Sequence, residues 1–451
     1  MAKRYASLLF GIALSIGLLG QADSQQGPQI NLVRDAEVEN TIRAYAAPVF
    51  RAGGFDPRQI KIFLVNDRSL NAFVAGGLNM FINTGLLMRS DEPGQVIGVM
   101  AHELGHIVGG HLARMDERMR EARKQSLVTM VLGALAGAAV GRGDAAAAVI
   151  TGSNQAILAS FLKYSQTQEA SADAAGVKFM DQAGISSKGL ADFMRVLSNQ
   201  ELLTVGRQDP YMRTHPVTQT RVEFIENHLA SSPYKDAKLP PEFYEMHKRM
   251  KAKLTGFIEP INVVLQKYPE SDTSLEGRYA RAIAYYRKPD LPRAMTLIDG
   301  LLAERPNDPY FNELKGQMLF ENGHAAAAIE PYQKAVKLVP DSGLLRTGLA
   351  QAQIESQDPS YIKSAIGNLE ESWRLDDENL LTLKLLATAY GRDGQQGMAS
   401  LQLAELAFIQ GRNGDARIYA DRALGGLKPG SPAWQRANDL KQLAERKKEE
   451  D

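Results

Sequence analysis

Cysteine is absent from all 451 residues. That absence excludes disulfides, and it excludes a lipoprotein, because no thiol is available for acylation. It also requires any metal site to be built from His, Asp and Glu. A charge excess of either sign is missing too, with 52 Lys and Arg against 52 Asp and Glu. No basic surplus points to nucleic acid, and no acidic surplus points to a solvating tail. Two apolar runs stand out, Leu8 to Leu19 and Leu127 to Gly141. Both fall short of the roughly twenty residues that span a bilayer.

What is present begins with a leader. Lys3 and Arg4 precede the first apolar run, and Gly20 and Ala22 place small residues before a cleavage point. Residues 1–22 therefore read as a secretory signal, and export to a periplasm is expected. A chain without cysteine folds there without pairing errors. The remaining length allows two or three domains. A first domain is expected over residues 28–230. A linker with connecting helices follows over 231–270, where Pro233, Pro240 and Pro241 cluster, and a repeat domain over 271–446.

The repeats show as a fixed phase. Ala282, Tyr285, Ala294, Ile298, Leu301 and Pro306 are matched 34 residues later by Gly316, Leu319, Ala328, Tyr332, Ala335 and Pro340. Small residues suit close helix pairs, and each proline ends a second helix. The period and order resemble tetratricopeptide repeats. A third unit runs through Ala350 and Ala365, and a fourth through Ala404, Ala416, Ala420 and Ala423.

The first domain mixes periods. Ile60–Val65 is strand-like, and Asn71–Val74, Gly76-Gly77 and Met80–Asn83 predict a hairpin. The strand Met80–Asn83 is expected to offer an edge to an extended peptide. Ser90-Asp91-Glu92-Pro93 predicts a helix start, with a capping side chain before a first-turn proline.

That helix carries His102-Glu103-Leu104-Gly105-His106. Residues four apart share a helix face, so His102 and His106 can grip one ion. Glu103 beside them can take a proton from a water, and zinc suits such ligands. His111 falls about 900° of helix rotation past His102, which predicts a surface or packing role. Glu169 is the better third ligand, with Asp173 one turn on, but spacing leaves Glu92, Glu117, Glu121 and Glu201 in competition.

The leader, Asn71-Ala72-Phe73, Asn83-Thr84-Gly85-Leu86, the His102–His106 motif, Glu169-x-x-x-Asp173 and the repeats together resemble the bacterial beta-barrel assembly-enhancing proteases. These are periplasmic gluzincins related to the CAAX prenyl protease and the heat-shock membrane protease. The resemblance covers nearly the whole chain. It implies an α+β fold: a zincin-like, mostly helical metalloprotease domain with a small β-hairpin sheet, then an all-α tetratricopeptide solenoid. It implies one zinc per chain, with Glu169 as third ligand and Asp173 supporting the first shell. It also implies an active-site role for His215, in Thr214-His215-Pro216, and for Arg221. His215 would plug the metal and keep the enzyme latent, or both residues would aid the transition state. Unfolded or misfolded proteins are the implied substrates, and the outer-membrane assembly machinery the implied partner. Peripheral association with the membrane fits that partner. Redox control through disulfides does not transfer to a chain without cysteine. The competing expectation is a chaperone or scaffold with a latent site. Leu127–Gly141 reads equally as a lid, a docking element or a core helix.

Overall fold

The computed structural model describes residues 31–114, 117, 120, 165–198, 211 and 215–450. The leader at 1–22, the apolar run Leu127–Gly141 and Thr214 lie outside these residues. The chain divides into two units, Met1–Leu254 and Thr255–Asp451. Among the described residues, no helix is long and apolar enough to cross a membrane.

In the first unit, strand β1 (Leu32–Val33) leads into helix α1 (Ala36–Ala52). The Asp35 side chain caps α1 by accepting from the Val38 amide, which satisfies one of the helix's unpaired donors. Its buried stripe of Val38, Ile42, Tyr45, Val49 and Phe50 has the helical spacing that makes a core face. Strands β2 (Lys61–Val65), β3 (Ala72–Ala75) and β4 (Asn79–Asn83) complete a four-stranded sheet in the order β1-β2-β4-β3.

The expected hairpin is there: β3 and β4 pair antiparallel, with Phe73 opposite Phe81. The expected edge is not β4. Parallel pairing with β2, from Lys61 opposite Asn79 to Val65 opposite Asn83, occupies its second side. Among the described residues, the outer strands of this sheet are β1 and β3 instead. A hairpin pattern carries no record of a parallel neighbour, so the sequence pointed to the wrong strand.

β4 runs into the short helix α2 (Thr84–Arg89) and then α3 (Pro93–Val108), which holds the motif. Pro93 occupies the first turn, as expected, but no side chain of Glu92 caps it. Gln95 does related work by accepting from the Asp91 amide at 2.6 Å. Helix α4 covers residues 165–182, and α5 (Lys188–Ser198), α6 (Gln219–Ser231) and α7 (Pro241–Ile258) follow. Helix α3 packs against α4 through one small residue on each side. A Cβ on Gly105 would meet the Ala172 carbonyl oxygen at 2.6 Å, and one on Gly176 would meet the Ala101 backbone at 3.2 Å.

The second unit is helical throughout. It opens with α8 (Ile261–Lys267). Five helix pairs follow: Leu275–Arg287 with Leu291–Glu304, Pro309–Glu321 with Ala325–Leu338, Gly343–Glu355 with Ile362–Leu375, Leu380–Arg392 with Gln396–Ile409, and Asn413–Gly426 with Pro432–Glu450. Ala282, Tyr285, Ala294, Ala328, Tyr332, Ala350, Ala365, Ala404, Ala416 and Ala420 are buried, as the 34-residue phase requires. A Cβ on Gly316 would meet the Tyr332 ring at 2.7 Å, so the smallest residue of the second set makes room for its largest. The expected α+β class, with a mostly helical first domain and a helical repeat second domain, describes this chain.

Candidate metal centre

Helix α3 is apolar on every side and buried almost throughout, so its polar residues are enclosed rather than solvated. His102 and Glu103 are both 0% exposed, and His106 is buried beside them. Burying three such groups is costly unless they meet partners or an ion.

Helix α4 brings Glu169 against them. The His102 Nε2 is 3.1 Å from the His106 Nε2, and each lies 3.4 Å from a Glu169 carboxylate oxygen. His215 completes the group, its Nδ1 at 3.1 and 3.2 Å from the two Glu169 oxygens and 3.4 Å from the His102 Nε2. One ligand atom from each of the four residues lies within 4.8 Å of all the others. Zinc-to-ligand distances near 2.0–2.1 Å place tetrahedral ligand atoms about 3.3 Å apart. The donor set and its spacing therefore fit zinc.

The second ring nitrogens are held as well. The His102 Nδ1 is 2.8 Å from the Asp173 Oδ1. Asp173 is one helical turn beyond Glu169, and its carboxylate accepts from the Arg221 Nε at 2.6 Å and Nη2 at 2.9 Å. The same guanidinium reaches the Glu169 Oε2 at 2.9 Å and donates to the Pro216 carbonyl at 2.7 Å. Arg221 stands in the first turn of α6, so that helix start presents a cation to two carboxylates of α4. The ring of His215 stacks on Tyr211, with centroids 4.5 Å apart.

These contacts polarise the group. Burial opposes a charge on His102, but the Asp173 and Glu169 carboxylates overcome it and push its pKa up to about 10. Burial brings His106 down to about 3. Burial also works against ionised Glu169 and Asp173. His215, His102 and His106 nevertheless hold Glu169 well below the carboxylate range, and Arg221 and His102 hold Asp173 below it. Glu103 differs, because burial pushes it up and the opposing charges of His215, His102 and Arg221 do not overcome the effect. Neither of its carboxylate oxygens has a hydrogen-bond partner among the described residues. The His215 Nε2 is 3.6 Å from the Glu103 Oε1, beyond hydrogen-bond reach.

All seven residues singled out in the sequence, His102, Glu103, His106, Glu169, Asp173, His215 and Arg221, are thus brought to one place. Of the two roles expected for His111, surface or packing, the structure removes the surface one, since His111 is buried. Counting rotation past His102 assumed an unbroken helix, but α3 ends at Val108 and Gly110 takes a φ of +61°. The chain turns, and the buried His111 ring lies edge-to-face with His106, Nδ1 to Nδ1 at 2.9 Å. Gly109-Gly110, three residues past His106, was the available signal, since paired glycines stop helices. Nothing in the sequence marked Tyr211.

Comparison with known proteins finds a match for each of the two parts of the chain. Residues 33–229 match the model of Peptidase family M48, and residues 279–343 and 383–432 match that of the tetratricopeptide repeat. The segment that holds the site is thus similar to peptidase family M48, a metal-dependent family, and parts of the segment after it are similar to tetratricopeptide repeats. Among relatives, the Beta-barrel assembly-enhancing protease of Yersinia pestis is 24% identical over 309 residues, 66% of this chain and 61% of that one. The protein of the same name from Escherichia coli (strain K12) is 24% identical over 393 residues, 85% of this chain and 79% of that one. Metalloprotease LoiP of the same strain is 29% identical over 176 residues, 39% of this chain and 64% of that one. The chain thus spans about three fifths of the Yersinia relative's length.

Proposed function

We propose that this chain is a periplasmic zinc endopeptidase acting on misfolded or stalled outer-membrane proteins, and that its repeats recruit clients or the assembly machinery. The observation that carries the catalytic part is the buried Glu103. Its carboxylate lies beside three imidazoles and a carboxylate, yet has no hydrogen-bond partner among the described residues. A raised carboxyl pKa suits a group that takes and returns a proton near neutral pH.

His102, His106 and Glu169 are the proposed ligands of one zinc. When bound, the ion supplies Lewis acidity to the scissile carbonyl and makes water nucleophilic near neutral pH. Glu103 takes the proton of the attacking water and passes it to the leaving amine. Asp173 fixes the tautomer of His102 through its Nδ1. Arg221 is committed to Asp173, Glu169 and the Pro216 carbonyl, which favours a positioning role over stabilising an oxyanion. His215, within 3.2 Å of both Glu169 oxygens, is proposed as a fourth ligand that guards the site. The name of the relatives supports the client assignment, and the leader sequence supports export.

The test uses the full chain, stripped by chelator and reloaded with zinc. Cleavage of an unfolded β-barrel protein should vanish and return at about one zinc per chain. Cleavage that survives in chelator would rule out the metal mechanism, and equal cleavage of the folded barrel would rule out the client assignment. His215→Ala should raise basal cleavage. A fall, with zinc still bound and the fold intact, would remove the guard and favour a transition-state role.

A further inference from the structure

We infer that His111 is a positioning residue for His106, accepting its Nδ1 proton and thereby turning its Nε2 toward the metal. The inference rests on the reading of His106 as a zinc ligand.

The ring of His106 faces two ways. Its Nε2 lies 3.1 Å from the His102 Nε2 and 3.4 Å from Glu169, among the ligand atoms. Its Nδ1 lies 2.9 Å from the His111 Nδ1. Two ring nitrogens at that distance share one proton. A neutral imidazole that offers a lone pair at Nε2 must carry its proton at Nδ1. His106 is therefore the donor and His111 the acceptor, with the proton of His111 on its own Nε2.

Three features hold His111 in this position. Gly110, at a φ of +61°, turns the chain back after α3. Gly109 leaves room for the ring, since a Cβ there would lie 2.3 Å from the His111 Nε2. The Gln168 side chain donates to the His111 carbonyl at 3.2 Å. Gln168 immediately precedes Glu169, so the helix that supplies the carboxylate also anchors the backbone of His111. His111 is 5% exposed, which keeps water from competing for the bond.

The two motif histidines thus have unlike partners. His102 is oriented by a carboxylate, Asp173, which is itself held by Arg221, and His106 by a neutral ring. Orienting partners of this kind are worth roughly 10- to 100-fold in metal affinity.

A packing residue would need only the shape of His111, whereas a positioning residue needs its acceptor nitrogen. In His111→Asn, the Oδ1 can take the place of Nδ1, while His111→Leu fills the space without an acceptor. Zinc affinity is measured by chelator competition in the full chain, together with the visible absorption of the cobalt(II)-substituted protein and the melting of the metal-free forms. His111→Leu should bind zinc roughly 10- to 100-fold more weakly and change the cobalt spectrum. His111→Asn should stay within a few-fold of wild type. Gly109→Ala, which displaces the ring, should mimic His111→Leu, and the double variant should be no worse than either. That variant also covers the case in which His111→Leu fails to fold. Unchanged affinity and spectrum in His111→Leu, or an equal loss in His111→Asn, overturns the inference. His106→Ala separates the two readings: if it loses the metal while His111→Leu keeps it, only the inference fails, and if it binds zinc as wild type does, both fail.

Discussion

Arg221 shows most plainly how single residues divide the work of the site. Its guanidinium is buried against Asp173 and Glu169, two carboxylates one helical turn apart. Without the cation, both acids would be desolvated side by side. Breaking a buried pair in this way costs about 3–5 kcal/mol. Arg221→Gln should therefore lower the melting temperature of the metal-free protein and weaken zinc binding together. A variant with wild-type melting and full zinc but a reduced cleavage rate would instead make Arg221 an oxyanion group. The residues differ in how far the sequence announced them. His102, Glu103 and His106 are legible because helix geometry alone fixes what four-residue spacing can do. Glu169 could not be told from Glu92 or Glu117 by spacing, since its selection depends on how α4 packs across α3. His111 was misplaced because a rotation count cannot see a helix stop, although Gly109-Gly110 was there to mark one.

At the scale of elements, the site depends on how closely α3 and α4 approach. Gly105 stands between the two motif histidines and rests on the Ala172 carbonyl, with Ala172 lying between Glu169 and Gly176. Adding a methyl group there forces the helices apart by pushing backbone against backbone, at about 1–3 kcal/mol. Gly105→Ala should lower the melting temperature and weaken zinc binding, although no ligand is altered. Wild-type zinc affinity in that variant would mean that the interhelix spacing does not set the ligand geometry. Much of the element plan was legible. The hairpin followed from alternating residues around Gly76-Gly77, and the repeat helices from a 34-residue phase that buries Ala282, Ala294, Ala328 and Tyr332. The edge strand was not legible, because the pairing of β2 with β4 joins segments that local pattern leaves unrelated.

For the whole molecule, the question is where the catalytic unit ends. The family M48 match stops at residue 229, but the first compact unit continues to Leu254. Helix α7 explains the difference: Arg249 pairs with the buried Glu37 at 2.8 Å, Lys253 pairs with Asp35 at 2.8 Å, and the Phe243 carbonyl accepts from the Tyr45 hydroxyl at 2.8 Å. A chain ending at Leu229 should fold poorly, whereas one ending at Ile258 should keep cleavage of an unfolded protein and lose partner recruitment. Equal activity in both would show that α7 is dispensable, and unchanged copurification of partners without the repeats would remove their recruiting role. The central claim is that Glu103, a buried carboxylate without a hydrogen-bond partner among the described residues and beside a cluster of metal-ligating side chains, makes this chain an endopeptidase. Its most direct test is to measure metal content and cleavage together in the intact Glu103→Gln protein. The account predicts about one zinc per chain, as in wild type, with cleavage reduced by at least about a hundredfold. Cleavage at the wild-type rate with the metal in place would contradict it.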